Sequence, residues 1–246
     1  MLKVRRAETL GQVTDGEAHL HCHFAFGAYN DPAHMHNGRL RVVNQISLPA
    51  QAQYVAGPEK NVDIVTWVTQ GSVTTQCEHF HAETINKGDI QVLCTATGCT
   101  GLSWKAGAEA AQLLQFWFLP DCKGGIPMQE IRNTSGYPDT TGFRIIASGF
   151  PDDDPEEEET IRDGAPAALL GSGRLLHTTL STGEGARYQT TPGRSLFLLV
   201  VSGTVTLEGT TLDAGDSAAI SEQQELLIIA QSDASVLLAD TAYDAS

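Results

Sequence analysis

Three short segments place histidines at alternate positions. Residues 19–23 read His-Leu-His-Cys-His, residues 34–36 read His-Met-His and residues 79–81 read His-Phe-His. Alternate side chains of an extended strand lie on the same face, and imidazole pairs of this kind can bind zinc or copper. One interpretation is a metal site formed where two such pairs approach each other. The favoured interpretation is surface histidines that bind metal only adventitiously.

Cysteines are the other residues suited to metal or redox chemistry, and the chain has five: Cys22, Cys77, Cys94, Cys99 and Cys122. The odd number and the lack of a Cys-x-x-Cys pair predict reduced thiols in a cytoplasmic protein. A free cysteine is usually a small buried apolar side chain. Cys122 is the best redox candidate because a predicted strand ends before it and a Gly-rich loop follows. Lys123 favours its thiolate and Asp121 opposes it, and an incidental loop cysteine is the alternative.

Strand patterns dominate the segments that must position these residues. Runs rich in β-branched, aromatic and leucine side chains occupy residues 62–69, 91–95, 113–118, 195–201, 204–207, 226–230 and 236–239. Gly, Asn, Asp and Pro interrupt these runs at short intervals, which is typical of β-sandwiches and barrels. Only short helical stretches are expected, for example around residues 128–131.

A turn pattern occurs twice along the chain. A strand, a Gly turn at Gly71, a second strand and a Gly-Asp turn at Gly88 in the first half correspond to Gly203 and Gly215 in the second half. Two copies of one β-unit predict a duplicated architecture.

Composition excludes several classes of function. The chain has 246 residues, 41% of them hydrophobic, and a formal net charge of −15. Such a surface repels phosphate backbones, so no nucleic-acid partner is expected. There is no apolar run of about 18 residues, so no membrane span is expected. Seven of the eight residues 152–159 are acidic, which predicts a solvated surface loop over residues 151–160, with a docking site for a partner as the minority interpretation.

The sequence resembles the pirin family. Residues 23–32, His-Phe-Ala-Phe-Gly-Ala-Tyr-Asn-Asp-Pro, are similar to the family's T-F-S-F-x-x-Y-x-D-P stretch, and residues 38–44 contain its L-R-V-(I/L)-N motif. Further matches follow in family order through about residue 120. The resemblance implies an all-β bicupin of two jelly-roll, RmlC-like barrels packed face to face, over residues 1–142 and 143–246. It also implies one iron or similar metal in the first barrel, and quercetin 2,3-dioxygenase activity in bacterial members.

The residues that hold this metal in the family are replaced here. The family motif T-H-P-H-K-D-M-E-I aligns with residues 56–64, which puts Gly57 and Glu59 at the two histidine positions. The motif G-T-G-x-x-H-S-E puts Gly101 and Ser103 at the other two. Glycine offers no donor, and a catalytic metal needs about three protein ligands. The family metal is therefore predicted to be absent, as in the family's YhaK-type branch, whose members are regarded as redox-sensitive.

Strand alternation suggests what remains at this place. Glu59 and Asp63 are expected on one face and Cys99 and Ser103 on one face of the other segment, which would form a small polar cavity. Three interpretations stay open: Glu59 pairs with an inward basic side chain, Glu59 binds a small polar ligand, or a metal site is rebuilt from Glu59, Asp63 and Cys99.

Three functions follow from these observations. The favoured one is a monomeric, cytoplasmic, metal-free pirin-like protein without enzymatic activity, either redox-responsive through Cys122 or binding a small ligand in the first barrel. The second is a metal-dependent dioxygenase that resembles quercetin 2,3-dioxygenase and has an altered ligand set. The third is an interaction module that acts through a protein partner, as the family's nuclear transcription cofactor does, and it rests on the acidic residues 152–159.

Overall fold

Each half of the chain folds into a barrel of two sheets, whose strands pair antiparallel apart from one short parallel pair in the second barrel. The computed structural model describes residues 1–134, 142–153 and 166–243. In the first barrel a seven-stranded sheet has the order β12-β9-β6-β11-β4-β3-β2 and a four-stranded sheet has the order β5-β10-β7-β8. These strands are β2 (Gly11–Asp15), β3 (Ala18–Cys22), β4 (Leu40–Leu48), β5 (Gln53–Val55), β6 (Asp63–Gln70), β7 (Ser72–Cys77), β8 (Phe80–Asn86), β9 (Asp89–Cys94), β10 (Ser103–Ala106), β11 (Ala111–Phe118) and β12 (Met128–Asn133).

The second barrel repeats the plan. Its strands are β13 (Arg144–Ser148), β14 (Ala167–Ala168), β15 (Gly173–Leu180), β16 (Gly185–Gln189), β17 (Arg194–Ser202), β18 (Thr204–Leu207), β19 (Thr210–Asp213), β20 (Ser217–Ser221), β21 (Glu225–Ala230) and β22 (Ala234–Ala242). The seven-stranded sheet has the order β1-β20-β17-β22-β15-β13-β14 and the four-stranded sheet β16-β21-β18-β19, where β1 is Leu2–Arg5. The predicted all-β bicupin is confirmed.

The two large sheets pack face to face and create three apolar layers. One lies inside each barrel and the third lies between the barrels. The sequence of β6 is almost continuously apolar because both of its faces are buried. Ile64 and Val68 face the first barrel's interior, while Val65 and Trp67 face the second barrel. A strand that is buried on both faces has no solvent-facing positions left for charged residues.

The chain's first strand belongs to the second barrel. Strand β1 pairs antiparallel with β20, with Leu2 opposite Ile220 and Arg5 opposite Ser217, and Leu2 and Val4 pack on the second barrel's core. The predicted first domain, residues 1–142, therefore needs correction at its start. Pairing with β1 covers an edge of the large sheet that would otherwise expose unpaired backbone groups.

Two further predictions concern local structure. The helical stretch expected around residues 128–131 is wrong, because these residues form β12, which pairs with β9 from Met128 opposite Cys94 to Asn133 opposite Asp89. Pairing with a sheet edge outweighed the weak local helical preference. Of the predicted acidic loop 151–160, only the 3-10 helix Pro151–Asp153 lies within the described residues. The other described helix is the 3-10 helix Ala7–Thr9, and no helix in the described part of the chain could span a membrane.

Candidate functional site

The two segments that the family motifs single out lie side by side in the first barrel. Glu59 and Cys99 exchange both backbone hydrogen bonds, at 3.0 and 2.8 Å, and Ser103 pairs with Val55 where β5 meets β10. The alignment therefore identified one place in the fold from two stretches about forty residues apart in sequence.

The side chains at this place supply few donors. A Cβ built on Gly57 or on Gly101 would meet no atom within 4 Å, so each glycine borders open space. Gly101 also has a left-handed φ of 66°, which interrupts the strand alternation after Cys99. Ser103 pairs across the sheet with Val55 and Gln76, and both of these are exposed. Directly opposite residues share a face, so Ser103 is on the outer face, although it is itself buried. Cys99 packs in the barrel core.

Glu59 is the remaining acid of the four positions. It is half-buried, and burial raises the pKa of its carboxyl group. It forms no ion pair with any residue that the structure describes. The interpretation that Glu59 pairs with an inward basic side chain therefore has no support among the described residues. Because its charge is uncompensated and partly removed from water, Glu59 is suited to accept hydrogen bonds from a bound molecule.

Asp63 does not join Glu59. Its side chain is fully buried on the other face of β6, and its Oδ2 atom accepts a hydrogen bond of 2.7 Å from the backbone N–H of Leu170 in the second half of the chain. Burial raises the pKa of this carboxyl group. The expected alternation fails because Asn61 has a φ of 53°, which reverses the chain's facing before β6 begins. A site rebuilt from Glu59, Asp63 and Cys99 is therefore excluded by geometry.

The interior of the first barrel holds polar side chains that the sequence analysis missed. Trp104 is completely buried and stacks on Tyr54 with ring centroids 5.8 Å apart. Its Nε1–H donates to Gln91 Oε1 at 2.9 Å, and Gln91 Nε2 donates to Thr75 Oγ1 at 2.9 Å. Asn44 is fully buried, and neither atom of its amide has a hydrogen-bond partner in the structure. The sequence does mark such a residue, because it is polar within an otherwise apolar strand run. Asn44 in β4 is an example.

The histidine segments do not converge. His19 and His21 are exposed on β3, whereas His23 is completely buried between the barrels. His34 lies 2.8 Å from the Asp31 carboxylate, and His79 contacts the carbonyl oxygen of Gly98 at 3.1 Å. Across residues 1–134, 142–153 and 166–243, no three His, Cys, Asp or Glu side chains are grouped as a metal site would need.

The cysteines divide into two groups. Cys122 is exposed, as its position after β11 suggested, and the other four, Cys22, Cys77, Cys94 and Cys99, are buried. Burial raises the pKa of the Cys99 thiol, which disfavours its reactive thiolate form.

Comparison with known proteins identifies the family of the chain. The family model described as Pirin matches residues 3–118, and the model described as Quercetinase C-terminal cupin domain matches residues 166–241. The crystal structure of bacterial pirin YhhW in complex with nickel(II) from Escherichia coli superimposes with a TM-score of 0.87 at 28% identity, over 99% of this chain and 100% of that one. The chain belongs to the pirin family.

Other known proteins differ in their similarity to the chain. Quercetin 2,3-dioxygenase of Escherichia coli strain K12 is 28% identical over 241 residues, which is 98% of each protein. The structure of YhaK from Escherichia coli shares the fold, with a TM-score of 0.67 and 22% identity over 89% of this chain and 92% of that one. The assignment to a YhaK-type branch stays a prediction.

The donor set of this pirin does not fit the family's metal. Two of the four positions, Gly57 and Gly101, have no side chain, and Ser103 is on the outer face. Glu59 is a single half-buried carboxylate, and one oxygen ligand cannot replace the three or so protein donors that a catalytic transition metal needs.

Proposed function

We propose that this pirin works without a metal in its first barrel and binds a small polar ligand there instead of catalysing dioxygenation. The observation that supports the proposal best is the pair of glycines at two of the four ligand positions. Neither Gly57 nor Gly101 offers a donor, and both border open space. Both glycines are exposed, so removing the donors leaves solvent-accessible room beside Glu59.

Glu59 gives the proposal its ligand chemistry. The carboxylate is half-buried and has no ion-pair partner among the described residues. A partly desolvated carboxylate gains most from a partner that donates hydrogen bonds. The ligand class is therefore a small molecule with hydroxyl, amide or amine donors.

The redox part of the proposal rests on Cys122. It is the exposed thiol of the chain, and an exposed thiol can be oxidised to a sulfenic acid and further. The proposal includes a reducing, cytoplasmic setting and a monomer, and it requires neither a nucleic-acid nor a membrane partner. A protein partner at the acidic residues 152–159 stays a prediction, since residues 154–165 lie outside the described part.

The second candidate function is dioxygenation. Relatives named quercetin 2,3-dioxygenase align over 98% of the chain, and a pirin structure of 28% identity contains nickel. This candidate requires that Glu59 recruits a metal together with donors other than those of the family motif.

Metal content and quercetin turnover separate the two candidates. Tag-free protein would be dialysed without chelator and analysed by plasma mass spectrometry. Turnover would then be assayed with added iron, nickel, copper or manganese. We expect less than about a tenth of an equivalent of any transition metal, since one carboxylate is too few ligands, and no turnover. About one equivalent of bound metal, with turnover that Glu59→Ala abolishes, would establish the dioxygenase.

The bacterial pirin YhhW provides the control, since its crystal structure contains nickel(II). Treated in the same way, it is expected to retain nickel, which would show that the assay detects a pirin metal site. Ligand binding by the unmodified protein would be measured separately by equilibrium dialysis with a polyol, an amide and an amine, with Glu59→Gln as the comparison.

A further inference from the structure

Charged side chains line one end of the second barrel's interior. Arg174 near the start of β15 lies directly opposite Asp240 near the end of β22. Asp240 also lies opposite Leu196 in β17, two residues after Arg194. Leu196 is part of the second barrel's core. Opposite residues share a face and alternate residues return to it, so Arg174, Arg194 and Asp240 all face the barrel interior.

Asp240 presents one satisfied and one unsatisfied oxygen. It is 1% exposed, and its Oδ2 atom accepts hydrogen bonds from the hydroxyl groups of Tyr188, at 2.6 Å, and Thr190, at 2.8 Å. Its Oδ1 atom is buried and has no hydrogen-bond partner in the structure. Buried carboxylate oxygens are nearly always hydrogen-bonded. This atom is therefore able to accept a hydrogen bond from a bound molecule.

Arg194 has a buried hydrogen-bond donor without a partner. Its guanidinium carbon lies 3.7 Å from the centre of the Phe150 ring, and the guanidinium carbon of Arg174 lies 4.7 Å from the same ring. The Nε of Arg194 donates to Thr191 Oγ1 at 3.2 Å, but its Nη1 atom is buried without a hydrogen-bond partner. Both guanidinium groups thus contact the same aromatic ring, and each has a buried donor without a hydrogen-bond partner.

The other cation, Arg174, already forms an ion pair with a carboxylate of the chain itself. Asp153, the last residue of the 3-10 helix Pro151–Asp153, places Oδ2 at 3.0 Å from the Nε of Arg174, an ion pair whose geometry is not that of a hydrogen bond. Ser148 Oγ donates to the same oxygen at 2.5 Å. Asp153 and Arg174 are 11% and 18% exposed, so this ion pair is at the boundary between barrel and solvent. A carboxylate is therefore the group that this end of the barrel accepts.

We propose that this end of the second barrel binds a small α-hydroxycarboxylate. The ligand's carboxylate would be held by Arg174 and Arg194, whose planar guanidinium groups match carboxylate geometry. Its hydroxyl group would donate to Asp240 Oδ1. Asp153 would be displaced from Arg174, which makes it an internal competitor. Barrel mouths are common ligand sites, and this site is in the other barrel from Glu59, so it stands independently of the proposed function.

Calorimetric titration of the full-length protein with glycolate and acetate, at constant ionic strength, tests the proposal. Glycolate is expected to bind saturably and more tightly than acetate, because only glycolate can satisfy Asp240. Arg194→Gln should weaken glycolate binding about tenfold or more, since hydrogen bonds to charged groups are at least that strong. Asp240→Asn should remove the preference for glycolate. Arg187→Gln is the control, since Arg187 is 62% exposed and pairs with Glu225 away from the site.

A variant that retains both arginines keeps the proposal testable even if Arg194→Gln does not fold. Asp153→Asn removes the competing carboxylate and should tighten glycolate binding several-fold, while circular dichroism verifies the fold of every variant. Two results would overturn the proposal: no saturable glycolate binding in the unmodified protein and in Asp153→Asn, or equal binding in Arg194→Gln. Equal affinities for acetate and glycolate would overturn the role of Asp240.

Discussion

His23 and Ser217 join the two barrels through a buried hydrogen bond. His23 Nδ1 lies 2.8 Å from Ser217 Oγ, and the amide nitrogen of Gln45 lies 2.9 Å from His23 Nε2. Because the amide nitrogen is a donor, the ring accepts at Nε2 and donates its Nδ1–H to Ser217. Burial, and then the charge of Arg5, lower the pKa of His23 to about 3. The imidazole is therefore neutral, and the polar contact between the barrels depends on its staying so.

The stability of the pirin should therefore fall with acidification. The folded pKa of His23 lies below its ordinary value of 6.5, so its stabilising contribution is complete above that value. As the pH falls from 6.5 towards 3, His23 becomes protonated in the unfolded chain but stays neutral in the folded protein. The free energy of unfolding therefore decreases. The loss amounts to a few kcal/mol, at about 1.4 kcal/mol per pH unit. Urea unfolding at several pH values between 7.5 and 4 measures it.

Two variants identify the group responsible. His23→Gln should flatten the pH dependence, and His36→Gln, at an exposed position, should leave it unchanged. His177 will contribute a residual slope, because it is half-buried against Trp67 and desolvation lowers its pKa to about 4. An unchanged pH profile in His23→Gln would refute the assignment.

The duplicated turns give a prediction about backbone space. Gly71 and Gly203 occupy equivalent hairpins, with φ of 70° and 76°. A Cβ on Gly203 would lie 2.1 Å from the carbonyl oxygen of Asp233, whereas a Cβ on Gly209, with φ of 77°, would meet nothing within 4 Å. Gly209→Ala should cost about 1 kcal/mol for the left-handed backbone alone, and Gly203→Ala clearly more. Equal losses in the free energy of unfolding would mean that the chain relaxes around the added carbon.

Sequence patterns predicted the parts of this fold that depend on local periodicity. The strand runs, the repeat at Gly71 and Gly203, and the pirin motifs located both barrels and the place where Glu59 meets Cys99. Periodicity failed where single residues adopt left-handed φ: Asn61 turned Asp63 to the other face, and Gly101 separated Cys99 from Ser103. A pattern of residue types does not contain these dihedral angles.

Contacts between the halves were equally invisible in the sequence. The burial of His23 depends on Ser217, which lies 194 residues further along the chain, and the pairing of β1 with β20 depends on the second barrel being complete. No local signal distinguishes His23 from the exposed His21 two residues earlier. Interactions across the interface are decided by the packing of the two large sheets, which only the three-dimensional structure provides.

The buried amide of Gln91 is expected to stabilise the first barrel. It accepts from Trp104 Nε1–H and donates to Thr75 Oγ1. Gln91→Leu keeps the volume but leaves both groups unsatisfied, which costs roughly 1–3 kcal/mol for each buried group that loses its partner. Chemical unfolding measures the loss, with Gln53→Leu, at an exposed position of β5, as the control. A Gln91→Leu protein as stable as the unmodified one would mean that water replaces the amide.

Thiol chemistry should be confined to Cys122 in the folded protein. Of the five cysteines, Cys122 alone is exposed, and burial raises the pKa of the Cys22, Cys94 and Cys99 thiols, which suppresses their reactive thiolate forms. A maleimide reagent should therefore label the native protein at one site, found by mass spectrometry of peptides, and denaturant should release the other four. Cys122→Ser should remove nearly all native labelling, whereas Cys77→Ser should not change it. Rapid native labelling at Cys77 or Cys99 would show instead that the end of the barrel next to Glu59 opens to solvent.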